Sequence, residues 1–139
     1  MQERTAEERT VHVLVVEDEE SVRRTMLRNL ERRGYRVDEA RTVAWAVDLC
    51  TADPPDVIVL DINLPDGTGW DVLRGLAERG LSRPPVVAIS AVQPSTKRLA
   101  EFGPVAFLPK PFLIDALLRA VERAVRKERG DEALDRPAL

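Results

Sequence analysis

One cysteine, one histidine and no apolar run long enough to span a bilayer narrow what this chain of 139 residues can be. With Cys50 as its only cysteine the chain has neither an internal disulfide nor a cysteine-based structural zinc site, and the single thiol fits a reducing compartment. His12, in an apolar run, reads as a packing or edge residue of a strand. The opening MQERTAEERT has no apolar core of the signal-peptide kind. The expectation is a soluble, cytoplasmic protein without membrane contact. Positive charge is not in excess either: the formal net charge is -3, which argues against direct nucleic-acid binding. Basic residues do gather late, at Arg119, Arg123, Arg126, Lys127 and Arg129, where cations suit the C-terminus of a helix. There is no glycine-rich nucleotide loop, internal repeat or low-complexity linker.

What the chain does have is an alternation of short apolar runs with amphipathic stretches. VHVLVV at Val11 to Val16 has the β-branched richness of a buried strand. Ser21 to Arg33 reads as a helix, with Ser21 as N-cap, Val22, Met26, Leu27 and Leu30 at helical spacing, and Gly34 as the stop. A weaker strand, YRVDEA, spans Tyr35 to Ala40, and a helix through Ala44, Val47 and Leu49 is closed off by Pro54 and Pro55. VIVL at Val57 to Leu60 is a strand, followed by a loop rich in Gly and Pro and a helix from Gly69 to Arg79. VVAIS at Val86 to Ser90, a short helix at Ser95 to Phe102 and VAFL at Val105 to Leu108 come next. The last helix puts Ala116, Leu117, Ala120, Val121 and Ala124 on one face and runs to Glu128. Trp45 and Trp70 fall in the second and third helices, as partly buried packing residues. One domain of ordinary size is expected over 11–128, between a polar segment at 1–10 and a polar tail at 129–139.

Five strands alternating with five helices predict an α/β fold: a five-stranded parallel sheet with helices on both faces. In such sheets ligand chemistry gathers beyond the carboxyl ends of the strands. The polar residues of this chain fall there. Glu17 and Asp18 follow the first strand, Asp61 the third, Ser90 ends the fourth, and Lys110 lies just past the fifth. Carboxylates converging at one edge raise one another's pKa unless a cation compensates, and oxygen ligands of this kind suit a hard ion such as magnesium. Acids, a lysine and a hydroxyl facing one pocket are the parts phosphoryl transfer uses: a nucleophile, charge neutralisation and a hydrogen-bond donor.

Four spaced motifs, VVEDE, LDINLPDGTG, AISA and FLPKPF, resemble those of the receiver domain of two-component response regulators, the CheY-like family, over Val11 to Arg126. The resemblance implies a flavodoxin-like (βα)5 fold with strand order 2-1-3-4-5 and a phosphoaccepting signalling switch. Asp61 would accept a phosphoryl group from a phosphohistidine on a histidine kinase or histidine phosphotransfer protein. Asp18 and Asp61 would hold Mg2+ by side-chain oxygens, Asn63 by its backbone carbonyl, and Glu17 through water. Ser90 would donate its hydroxyl to the phosphoryl group, Lys110 would pair with a phosphoryl oxygen, and Phe107 matches the aromatic switch position. The chain would catalyse its own phosphorylation and slow dephosphorylation, with no external substrate. The fourth helix, fifth strand and fifth helix would form the output face toward a downstream protein, and could support a homodimer. The resemblance also implies a cis Lys110–Pro111 bond. No phosphotransfer histidine is expected, because His12 is not on an exposed helix.

Two other readings attach to the same residues. A haloacid-dehalogenase-like phosphatase is prompted by DINLPDGTG, but that chemistry wants an acid where Asn63 stands. A pseudo-receiver acting as a constitutive interaction module is prompted by the stretch from Ser90 to Phe107, which is slightly short for the family and carries Pro94, Gly103 and Pro104, so the fourth helix is expected to be short or irregular.

Overall fold

Strands rich in Val, Ile and Leu bury both faces when helices cross over on either side, and the chain folds in this way. The computed structural model describes residues 10–128. Residues 1–9 and the 129–139 tail, with Arg129, lie outside the described residues. The elements are β1 (His12–Val16), α1 (Glu20–Arg32), β2 (Arg36–Ala40), α2 (Val43–Ala52), β3 (Val57–Asp61), α3 (Gly69–Glu78), β4 (Val86–Ser90), α4 (Thr96–Phe102), β5 (Ala106–Pro109) and α5 (Ile114–Glu128). The five strands pair in parallel in the order β2-β1-β3-β4-β5, the expected 2-1-3-4-5. Among the described residues no helix is long and apolar enough to cross a membrane.

Because successive side chains of a strand face opposite ways, residue parity sorts the core into two layers. Leu14, Val16, Ile58, Leu60, Val86 and Ala88 pack under α2 and α3 and against Phe102 of α4. Val13, Val15, Val57, Val59, Val87 and Ile89 pack under Met26 and Leu30 of α1 and Leu117, Val121 and Ala124 of α5. Each fully buried Leu, Ile or Val contributes about 1.5–3 kcal/mol, so the sheet is anchored from both sides.

Some details depart from expectation. Helix α1 starts at Glu20, with Glu19 rather than Ser21 at the N-cap, because the Arg23 amide already bonds the Glu19 carbonyl at 2.9 Å. Gly34 does supply the stop, at φ 90°, with its N–H donating to the Glu31 carbonyl. The loop after β3 holds a hairpin that the sequence did not suggest, formed by two-residue strands at Asn63–Leu64 and Gly67–Thr68. Helix α4 is short, as expected, but regular: Ser95 accepts from the Arg98 N–H at one end, and Gly103 turns left-handed at φ 51° at the other. Pro109 ends β5, where the sheet edge tolerates its missing N–H. Trp70 is buried and stacks on Phe102 with centroids 4.9 Å apart, whereas Trp45 is exposed beneath the Arg41 guanidinium. His12 is a packing residue but not an edge one: β1 lies inside the sheet, and its Nε2 stands 2.6 Å from Asp38 Oδ2.

Candidate functional site

Three ladders run one step past the strands and fix the backbone from which the polar side chains project. The Glu17 N–H donates to the Ala40 carbonyl at 3.0 Å, Ile62 to Ile89 at 2.9 Å, and Lys110 to Ser90 at 2.9 Å. Continued parity sends Glu17, Asp61 and Lys110 toward the α1 and α5 side, and Ser90 and Phe107 toward the α2, α3 and α4 side. The first three meet: Lys110 Nζ lies 2.6 Å from Glu17 Oε1 and 3.1 Å from Asp61 Oδ2. Glu17 is fully buried and Asp61 nearly so, while Asp18 is exposed at the mouth. Oxygens of Glu17, Asp18 and Asp61 all lie within 4.8 Å of one another.

The loop after β3 shapes the other side of Asp61. The Asn63 N–H donates to Asp61 Oδ1 at 3.1 Å. Gly69, opening α3, passes so close that a Cβ there would stand 2.5 Å from the Asp61 carbonyl oxygen, so a side chain is excluded. Ser90 is buried, and its Oγ accepts from the Val92 N–H at 3.1 Å, which leaves its own proton free to be donated. Phe107 is half-buried against the α2–α4 core, opposite Ala88 of β4. The Lys110–Pro111 bond is cis, as expected.

Two buried carboxyls share one ammonium, and the imbalance shows in their proton affinities. Burial, and next the Asp61 carboxyl beside it, push Glu17 from 4.5 up to about 7, against the pull of Lys110. For Lys110 burial acts to lower the pKa, but the Glu17 and Asp61 carboxylates outweigh it and hold it above its ordinary value. A hard divalent cation fits this set, because the donors are all oxygens, drawn from separate loops, and short of positive charge.

The family model described as response regulator receiver domain matches residues 13–122. The chain belongs to that family. This receiver is 38% identical over 129 residues to the transcriptional regulatory protein KdpE of Mycobacterium tuberculosis, covering 91% of the chain and 56% of that protein. It is 35% identical over 131 residues to the response regulator MprA of a Mycobacterium species, covering 93% of the chain and 56% of that protein. The chain thus spans 56% of the length of these relatives. Among solved structures it is similar to the non-phosphorylated HemR receiver domain of Leptospira biflexa, at 32% identity and a TM-score of 0.74, covering 94% of this chain and all of that one. The signal receiver domain of a LuxO repressor protein from Vibrio parahaemolyticus, at 24% identity and a TM-score of 0.78, covers 92% of this chain and 99% of that one and shares the fold.

The receiver site has a member that sequence reasoning missed. Arg23, on the core-facing side of α1, is only 3% exposed, and its guanidinium reaches the backbone of the Glu17–Asp18 loop. Its spacing, three residues before Met26 and seven before Leu30, puts it on the buried stripe of α1 and apart from its exposed neighbours Arg24 and Arg28, and that spacing is the signal that marks it. A second group of possible ligands, His12, Asp38 and Asp53, sits at the opposite end of the sheet. Its members are already engaged: His12 with Asp38, and Asp53 with Arg36 at 3.0 Å.

Proposed function

We propose that this receiver is a phosphoaccepting switch over residues 11–128, working in the cytoplasm, in which Asp61 takes a phosphoryl group from the phosphohistidine of a partner histidine kinase or histidine phosphotransfer protein. The observation that carries the reading is the Lys110 ammonium seated between the buried carboxyls of Glu17 and Asp61 at the carboxyl end of the sheet. An Asp61 carboxylate oxygen attacks phosphorus, the phosphorus–nitrogen bond breaks, and its electron pair returns to the imidazole of the donor. Lys110 is placed to exchange its contact with Asp61 for one with a phosphoryl oxygen. Ser90, its proton uncommitted, donates to another.

Side-chain oxygens of Asp18 and Asp61 and the Asn63 backbone carbonyl would hold Mg2+, with Glu17 acting through water. The ion, when bound, neutralises the acids and the charge gathering on the transferred oxygens. Ser90 and Phe107 share the parity that faces α4, so movement of Ser90 toward the phosphoryl group opens space for the Phe107 ring on that side. The α4–β5–α5 face would then present a changed surface to a downstream protein or to a second copy of the chain. The receiver hydrolyses its own acyl phosphate slowly and acts on no external substrate.

The test is intact mass after incubation with Mg2+ and acetyl phosphate, for the wild-type chain and Asp61→Asn. One hydroxylamine-labile phosphoryl increment on the wild type and none on the variant is the expected result. Absence of the increment from both acetyl phosphate and a phosphorylated kinase would overturn the reading.

A further inference from the structure

Helix α1 turns Met26 and Leu30 to the core, and Arg23 falls on the same stripe, three residues before Met26. A leucine there would suit packing, and a buried guanidinium costs several kcal/mol in lost hydration unless its donors are satisfied. Its acceptors are specific. One terminal nitrogen donates to the carbonyls of both Glu17, at 3.1 Å, and Asp18, at 3.3 Å, while Nε reaches Glu39 Oε1 on β2, at 3.3 Å. The loop is also tied by the Glu17 N–H to the Ala40 carbonyl, the Glu19 N–H to Glu17 Oε2, the Arg23 N–H to the Glu19 carbonyl, and the Lys110 ammonium on Glu17 Oε1. The carbonyls of Glu17 and Asp18, two of the three acids of the cluster, are thus held by one charged side chain from a neighbouring helix.

We infer that Arg23 is a positioning residue for the metal site: by holding the carbonyls of Glu17 and Asp18 it presets the direction of their carboxylates, and Glu39 braces it from β2. The inference rests on the reading of Asp18 and Glu17 as Mg2+ ligands. Groups behind the ligands of a metal site weaken binding by about 10–100-fold when removed, because the ligands lose their preset geometry. The comparison of Arg23→Met with Arg23→Lys is informative. The first fills the volume without charge or donors, and the second keeps the charge but not the planar fork that reaches two carbonyls and a carboxylate at once.

Mg2+ affinity measured by calorimetric titration, alongside urea denaturation of each chain, tests this. The expected result is a dissociation constant raised about tenfold or more in Arg23→Met and by a smaller factor in Arg23→Lys. A merely structural role would lower the denaturation midpoints yet leave Mg2+ affinity within about twofold of wild type, and that result in a folded variant overturns the inference. If Arg23→Met does not fold, Arg23→Lys decides by the same criterion. A wild-type chain that binds no Mg2+ would overturn the site reading itself, whereas unchanged variants beside a binding wild type overturn only the role of Arg23.

Discussion

Replacing Glu17 by Gln should stabilise the metal-free protein at alkaline pH, although it removes one partner of a 2.6 Å ion pair. In the folded chain burial and Asp61 keep Glu17 protonated up to about pH 7, while its ordinary value is 4.5. Between those values the folded state binds more protons than the unfolded one, so stability falls as pH rises. At about 1.4 kcal/mol for each tenfold change in proton affinity, the rise from 4.5 to about 7 is worth at most about 3 kcal/mol. Glutamine keeps the volume and polarity of the protonated acid but cannot ionise. The two chains should therefore match within about 1 kcal/mol near pH 5, and the variant should lead by up to about 3 kcal/mol near pH 8.5. Other shifted groups do not imitate this. The backbone N–H of Val43 holds Asp66, and that of Thr68 holds Asp71, below the ordinary carboxylate value, so their stabilisation is complete well before neutrality. Lys110 is shifted upward, so its contribution is fully present below 10.5. The assay is urea denaturation of both chains across this pH range in chelator, repeated with excess Mg2+, which should restore the wild type more than the variant. A gap independent of pH, or a metal-free wild type that gains stability over the variant as pH rises, would refute the reasoning.

Two further substitutions probe the surroundings of the site. Gly69→Ala forces a methyl against the Asp61 carbonyl and the Leu60 side chain, 2.5 and 2.9 Å away, and should cost about 1–3 kcal/mol in chemical denaturation; a loss under about 0.5 kcal/mol would show that the loop yields freely. Phe102→Ala empties the stack on Trp70 and should cost about 3–5 kcal/mol while shifting Trp70 emission to the red; an unshifted spectrum would mean that the indole stays dry without its partner.

β1, β3 and β4 were legible because each is a run of β-branched or long apolar residues, and they lie within a residue of where these runs put them, whereas β2, RVDEA, is a weaker signal because it is a mostly half-buried edge strand. Strand ends are also where Glu17, Asp18, Asp61, Ser90 and Lys110 could be sought, since the chemistry of a parallel sheet gathers there. What escaped the pattern depended on contacts between elements. The hairpin at 63–68 is too short for any periodicity, and Ser21 lost the cap to Glu19 because backbone geometry, not side-chain preference, set the first turn. Helix α2 is apolar on nearly every side, so nothing in its spacing told that Trp45 would face out while Ala46, Val47 and Cys50 face in. Arg23 shares the helical stripe of Met26 and Leu30, but its partners, the loop after β1 and Glu39 near the end of β2, are brought to it only by the fold.

The parity of the strands has a consequence for how such a chain can change. By strand parity the buried acids and the lysine follow the α1 and α5 layer, and Ser90 and Phe107 the layer that holds α4, and all but Phe107 stand at the carboxyl edge where the strands end. Under the proposed switch the two sides meet at the phosphoryl group, which Lys110 reaches from one layer and Ser90 from the other, so a change on either side is felt on the other through that group. In engineering terms the sheet is a chassis whose two sides share one linkage, so refitting the α4 surface for a new partner would mean keeping Ser90 and Phe107 as they are.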